Sequence, residues 1–422
     1  MHYEKHILKN GLRVIFAPVA EAPTATAIIM TGTGSRYEKR ENNGISHFLE
    51  HLFFKGTEKR PTTLDIATEL DGIGGAYNAF TGKDRTGYWA KANKENAHIA
   101  LDVMSDVFLN AKFDAKEINK ERGAIIQEMR MYEDMPSRRV EELFENLLYG
   151  DTPLGWDIIG PEENIKTLKR NDFMIYLDQK YRAENIVVCV AGGFDKKKTF
   201  EYIKKHFGEI PSGFTREFEK IKEDQKEPKT LIYKKKTDQT HFVVGVRTFD
   251  MFSKDRYALS LLATILGGGM SSRLFIEVRE RRGLAYRVST SIESYHDTGY
   301  LATHCGVEHS NVEKALTIIL KEYKKIARNG VEIRELKKAK ECIKGRMAMG
   351  LESSDDIAEY LASQEVIRNE ITLPEVIVKR IDRVSSGDIQ RVAKEIFRSD
   401  RLNFSVIGPD VDEKKIASLL KM

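Results

Sequence analysis

Residues 43–56 read NGISHFLEHLFFKG. Ile45, Phe48, Leu49, Leu52 and Phe53 recur at the i, i+3, i+4, i+7, i+8 spacing of an amphipathic helix. At about 100° per residue, His47 and His51 fall about 40° apart, with Glu50 about 60° to the other side of His47. The apolar stripe lies roughly opposite. Such a helix is expected to bury one face and turn two imidazoles and a carboxylate the other way. Two histidines one turn apart can hold zinc, and a nearby glutamate that is not a ligand can take the proton of a zinc-bound water. The order H-x-x-E-H is that of the inverzincins. The competing reading is a pair of surface histidines on an ordinary helix. A core pair is disfavoured, because both histidines avoid the apolar face.

A catalytic zinc needs a third protein ligand and an open position. The helical pattern from Asp114, a plausible N-cap, puts Glu117, Glu121 and Glu128 on one face. Spacing alone does not choose among them. The bland alternative is a solvated acidic face paired with Lys120 and Arg122.

Working outward, the 422 residues leave room for two to four domains. At 41% hydrophobic the chain can build real cores. Lys+Arg 68 against Asp+Glu 64 gives a net charge of +4, too weak a bias to point to nucleic acid or an anionic membrane. No apolar run approaches the roughly 18 residues of a spanning helix. The start shows no secretory signal, and Cys189, Cys305 and Cys342 are scattered, so a reducing, cytoplasmic setting is expected. Of the other histidines, His304 beside Cys305 invites a metal reading. Adjacent strand residues face opposite ways, so that reading is rejected. The remaining histidines are expected to be exposed or singly satisfied.

Asn10-Gly11 between two apolar runs predicts a hairpin with a two-residue turn. Strands are expected near 25–30, 76–91 and 187–190, and a helix over 95–108. Residues 213–229 are charge-rich and punctuated by Gly213 and Pro228, which predicts a solvated linker between domains at 1–212 and 230–422. Each half carries Ala-Tyr, then Thr-Gly-Tyr, then a helix: Ala76-Tyr77 with Thr86–Tyr88, and Ala285-Tyr286 with Thr298–Tyr300. That order suggests a duplication. The expected fold class is α+β, with two similar α/β-roll domains, each an antiparallel-rich sheet with helices packed on it.

H47-F-L-E-H51 followed by E121-R-G-A-I-I-Q-E128 resembles the pitrilysin/insulinase group of zinc peptidases, nearest the branch of mitochondrial processing peptidase and its bacterial relatives. The 76 residues between His51 and Glu128 match that branch's spacing. The resemblance implies one zinc per chain, held by His47, His51 and Glu128. It makes Glu50 the general base and Glu121 a carboxylate that orients a ligating histidine. G75-A-Y-N-A-F-T81 resembles the family's exposed edge strand, where Asn78, Ala79 and Phe80 would contact a peptide added as an extra strand. G267-G-G-M-S-S-R-L-F275 and R279-E-R-R-G-L-A-Y286 resemble the glycine-rich segment and the Arg279/Tyr286 pair that contacts substrate and the developing oxyanion. The implied protein is a zinc endopeptidase acting on extended or unfolded polypeptides in a closed chamber. It would act as a homodimer or with a non-identical partner chain, and not with nucleic acid or membrane. A binding or assembly protein of the same family would lack a ligand or the base, and none is missing here.

Overall fold

The computed structural model describes residues 1–214 and 216–422; Thr215, inside the expected linker, lies outside the described residues. The chain forms two compact units. One comprises 1–129, 156–219 and 348–373; the other comprises 130–155, 220–347 and 374–422. The contiguous domains expected at 1–212 and 230–422 are therefore crossed twice.

In the first unit, β1 (Glu4–Ile7), β2 (Arg13–Pro18), β3 (Thr24–Thr31), β4 (Ala76–Thr81), β5 (Thr86–Asn93) and β6 (Ile186–Gly192) form one sheet in the order β1-β2-β6-β3-β5-β4. Only the β2–β6 pair is parallel. In the second unit, β7 (Lys229–Lys234), β8 (Thr240–Thr248), β9 (Ala285–Ser294), β10 (Gly299–Val307) and β11 (Leu402–Gly408) run in the order β7-β11-β8-β10-β9, with β7–β11 parallel. Leaving β1 aside, the two sheets follow one path. The duplication suggested by the repeated tripeptide is a duplication of topology.

Side chains alternate across each sheet, so every strand serves two layers. In the first unit Val14, Phe16, Ala27, Ile29, Val188 and Val190 enter a core with Phe48, Leu49 and Leu52 of the Ile45–Phe53 helix and Leu101 and Met104 of the Ala97–Asn110 helix. The opposite face is covered by the Ser354–Arg368 helix, which comes from the far end of the chain. Ser354 Oγ meets Thr26 Oγ1 at 2.8 Å, and Lys5 Nζ meets the buried Glu365 carboxylate at 2.6 Å. Ala358, Leu361, Ala362 and Val366 of this helix are fully buried. A fully buried aliphatic side chain contributes about 1.5–3 kcal/mol, so this one helix matters to the sheet it covers.

The second unit is built the same way with the equivalent early helix, Pro136–Tyr149. Val140, Phe144 and Leu148 pack with Val243, Ala302 and Ile407. Tyr295 and Tyr300 both donate to Glu145 Oε1, and Ser405 Oγ donates to the Val140 carbonyl at 3.0 Å. The two units have exchanged corresponding helices.

One local expectation needs correction. The hairpin loop is Lys9-Asn10-Gly11 closed by Leu8 and Leu12, not a two-residue turn. Gly11 takes φ +90°, and the Asn10 side chain donates to the carbonyls of Phe207 and Ile210. The linker is irregular, with most of its described residues exposed and none buried, and it is anchored at a few points. The Arg216 guanidinium donates to the carbonyls of Val366 and Ile367, and Phe218 lies under the Arg36 guanidinium. In the second unit, Ile221 N–H donates to Asp297 and Arg247 donates to the Lys222 carbonyl.

Candidate metal centre

The Ile45–Phe53 helix begins at Gly44, whose φ of +101° excludes most other residues. A Cβ there would also lie 2.6 Å from the Ile159 carbonyl oxygen. The helix has no side-chain cap at the usual position. Instead the buried Glu38 carboxylate accepts from Gly44 N–H, Ser46 N–H and Asn43 Nδ2, each at 2.8 Å. Burial raises the Glu38 pKa against the pull of these donors. The sequence offers no signal for this cap, because Glu38 sits six residues before Gly44.

The helix presents His47 and His51 toward the Ala115–Glu133 helix. His47 Nε2 lies 3.5 Å and His51 Nε2 3.4 Å from Glu128 Oε2. One nitrogen of each imidazole and one oxygen of Glu128 fall within 4.8 Å of one another. Arms of ~2.0–2.1 Å in a tetrahedron separate neighbouring ligand atoms by about 3.4 Å, so the donor set fits zinc. Among the described residues no other group of three has this spacing.

The electrostatics agree. The His51 imidazole is pushed up to about 9: burial pulls it down, but hydrogen bonds to Glu121 and Glu128 and their charges outweigh that. A site that holds a proton this firmly favours a cation. Of the three glutamates left open by spacing, Glu117 pairs with Lys120 at 3.7 Å. Glu121 lies behind His51, 2.9 Å from Nδ1. Burial raises the Glu121 pKa, but hydrogen bonds from His51 and Lys55 outweigh it and hold the carboxyl below its usual value. Lys55 Nζ stands 2.6 Å from Glu121 Oε2, a contact the sequence reading missed. Its position one turn beyond His51 was the available signal. His47 is buried, contrary to expectation, and its Nδ1 has no hydrogen-bond partner.

Glu50 is half-buried on the same helix and accepts from Thr81 Oγ1 at 2.5 Å. Thr81 ends β4, the edge strand of its sheet. Asn78 is exposed and its Oδ1 accepts from Ala79 N–H at 2.9 Å. Ala79 packs toward the helix-bearing core. The Phe80 ring covers Gly87, where a Cβ would lie 2.6 Å from it. Arg279 and Tyr286 belong to the second unit. Arg279 sits on a π-helical turn, Phe275–Glu280, with its guanidinium 4.7 Å from the Phe275 ring centre and 4.9 Å from that of Tyr286. Tyr286 is 79% exposed. The glycine-rich segment before it is close-packed at one point: a Cβ on Gly267 would lie 2.4 Å from Thr290 N.

Residues 13–162 match the family model for insulinase, peptidase family M16, and residues 167–342 match the model for the peptidase M16 inactive domain. An uncharacterized zinc protease of Bacillus subtilis, YmxG, is 33% identical over 398 residues, covering 94% of this chain and 96% of that protein. The chain belongs to the insulinase family, M16. An uncharacterized zinc protease of Rickettsia bellii is also 33% identical, over 96% of this chain and 97% of its own length. Among solved structures, a protease from Helicobacter pylori superposes with a TM-score of 0.90 at 25% identity, covering 97% of this chain and 99% of that one. An M16 inactive-domain structure from Pseudomonas fluorescens shares the fold, with a TM-score of 0.88 at 19% identity over 97% of this chain and 98% of its own. Family membership agrees with the two α/β sheets and their helices. Among the described residues, no helix is long and apolar enough to cross a membrane.

Proposed function

We propose that this M16 chain is a zinc-dependent endopeptidase that cleaves extended or unfolded polypeptides. The observation that carries the reading is the convergence of His47, His51 and Glu128 beside Glu50, against an edge strand. His47, His51 and Glu128 would hold one zinc, and Glu121 would fix the His51 ring through Nδ1. When bound, zinc supplies Lewis-acid chemistry, polarising a carbonyl and lowering the pKa of water to about 7.

The chain's own residues do the rest. A peptide pairs with the free edge of β4, which selects extended substrates through backbone hydrogen bonds. Asn78 turns from Ala79 N–H to a substrate carbonyl, and Ala79 and Phe80 flank the scissile bond. Glu50 takes a proton from water and returns it to the departing amine, so the proton count closes over one turnover. Arg279 and Tyr286 are donors for substrate and the developing oxyanion. The closed chamber, the homodimer or a non-identical partner chain, and the cytoplasmic setting belong to the same reading. They rest on the family resemblance and, for the setting, on three free cysteines.

The test is cleavage of a mixed unstructured peptide pool by wild type and Glu50→Gln, with chelation and zinc add-back. Glu50→Gln should abolish cuts while zinc stays bound, and Glu128→Gln should lose the metal. Cuts that survive Glu50→Gln in a pure sample would overturn the assignment of the base. Full zinc occupancy in Glu128→Gln would point to another ligand.

A further inference from the structure

We infer that Thr81 is the positioning residue for Glu50, and that it joins the peptide-binding edge to the general base. This rests on the endopeptidase reading above.

Three observations carry it. First, Thr81 Oγ1 donates to Glu50 Oε2 at 2.5 Å. A glutamate side chain has three torsions, and one charge-assisted hydrogen bond at its tip narrows the combinations it can adopt. Second, the register of β4 puts the Thr81 backbone at the open edge. Gly82 N–H donates to the Arg85 carbonyl at the turn, and Thr81 pairs with Thr86. In an antiparallel ladder, hydrogen-bonded and non-hydrogen-bonded pairs alternate. Gly82–Arg85 is a hydrogen-bonded pair, so Tyr77, Ala79 and Thr81 direct their own N–H and C=O groups away from β5. Ala79 N–H confirms the sense, since it is met by the Asn78 side chain rather than by β5. Third, strand alternation sends the Thr81 side chain to the face shared with Tyr77 and Ala79, the face that packs on the helix-bearing core.

One residue thus offers its backbone to an added strand and its side chain to the base. A peptide that orders the end of β4 also orders the hydroxyl that aims Glu50. Chemistry is thereby tied to correct strand addition.

Without its anchor the carboxylate is misaimed, which slows proton uptake. Positioning predicts that Thr81→Val lowers kcat about ten- to a hundredfold with KM little changed, since small misplacements of a catalytic group cost up to about 10². Thr81→Ser should restore most of the rate. Zinc content should stay at the wild-type level. Peptide affinity, measured by fluorescence in the inactive Glu50→Gln background, should not change when Thr81→Val is added.

A kcat for Thr81→Val equal to or above wild type would overturn the inference. So would failure of Thr81→Ser to rescue, or loss of peptide binding in the inactive background, which would make Thr81 a binding residue. If Thr81→Val does not fold, Thr81→Ala is read by the same criteria. Absence of Glu50-dependent cleavage in wild type itself would instead sink the endopeptidase reading.

Discussion

At the residue scale the centre is a chain of contacts running outward from Glu128: His51, then Glu121, then Lys55. Each link fixes the one before it. Glu121 holds the His51 ring through Nδ1, and Lys55 holds Glu121 on the side away from the ring. Partners of this kind typically change metal affinity 10- to 100-fold. Lys55→Met should therefore weaken zinc binding about tenfold, read by competition with a chelator, while Lys55→Arg retains most of it. Unchanged affinity in Lys55→Met would show that packing alone holds Glu121.

A second residue-scale prediction concerns His304. It is buried on β10 with neither ring nitrogen hydrogen-bonded, and Glu141 is 3.6 Å away. Burial, then the charges of His241 and Arg287, push it down to about 4. An unfolded histidine titrates near 6.5. Between the two values the unfolded chain takes up a proton that the folded chain refuses. Stability is therefore lost as pH falls from about 6.5 toward 4, by at most about 3 kcal/mol. His304→Gln should flatten the dependence of the urea midpoint across that window. An unaltered slope would assign the acid sensitivity elsewhere.

At the element scale the Ile45–Phe53 helix was legible from sequence, because apolar periodicity and the H-x-x-E-H spacing are local properties. Its anchoring was not. Glu38 reaches the helix start through a loop, and no spacing rule covers that path. Glu38→Ala leaves the Gly44 and Ser46 N–H groups without their acceptor and takes one of two acceptors from the buried Asn43 amide, which keeps the Asp157 carbonyl. It should cost about 2 kcal/mol or more in a denaturant melt, because unsatisfied buried donors are expensive. It should also weaken zinc uptake by loosening the helix. A melt like that of wild type would show that water replaces the carboxylate. The hairpin turn was misread for a related reason: Asn10-Gly11 signals a tight turn, but the Asn10 amide is engaged by Phe207 and Ile210, carbonyls nearly 200 residues away.

At the scale of the whole molecule the two halves share one strand order but have exchanged a helix. Thr26, Ile28 and Met30 face the Ser354–Arg368 helix, so the first 219 residues alone leave that side of their sheet bare. Residues 1–219 expressed alone should be insoluble or lack a cooperative melt. Co-expression with residues 220–422 should recover a soluble, cooperatively melting protein. A cooperative melt of 1–219 by itself would show that the exchanged helix is dispensable.

Local patterns were enough for the sequence to determine the zinc-motif helix, the paired α/β architecture, the central irregular segment and the candidate set for the third ligand. These follow from periodicity and composition, which act over a few residues. Helical phase leaves Glu117, Glu121 and Glu128 equivalent, and in the sequence only the family resemblance singled out Glu128. Tertiary structure is what brings it to the histidines, because the three differ in what the neighbouring helix brings to them. It also decided the Thr81–Glu50 bond, the Glu38 cap and the exchanged helices. All of these join segments far apart in the chain, and amphipathic patterning tells a helix to bury a face without saying against which sheet.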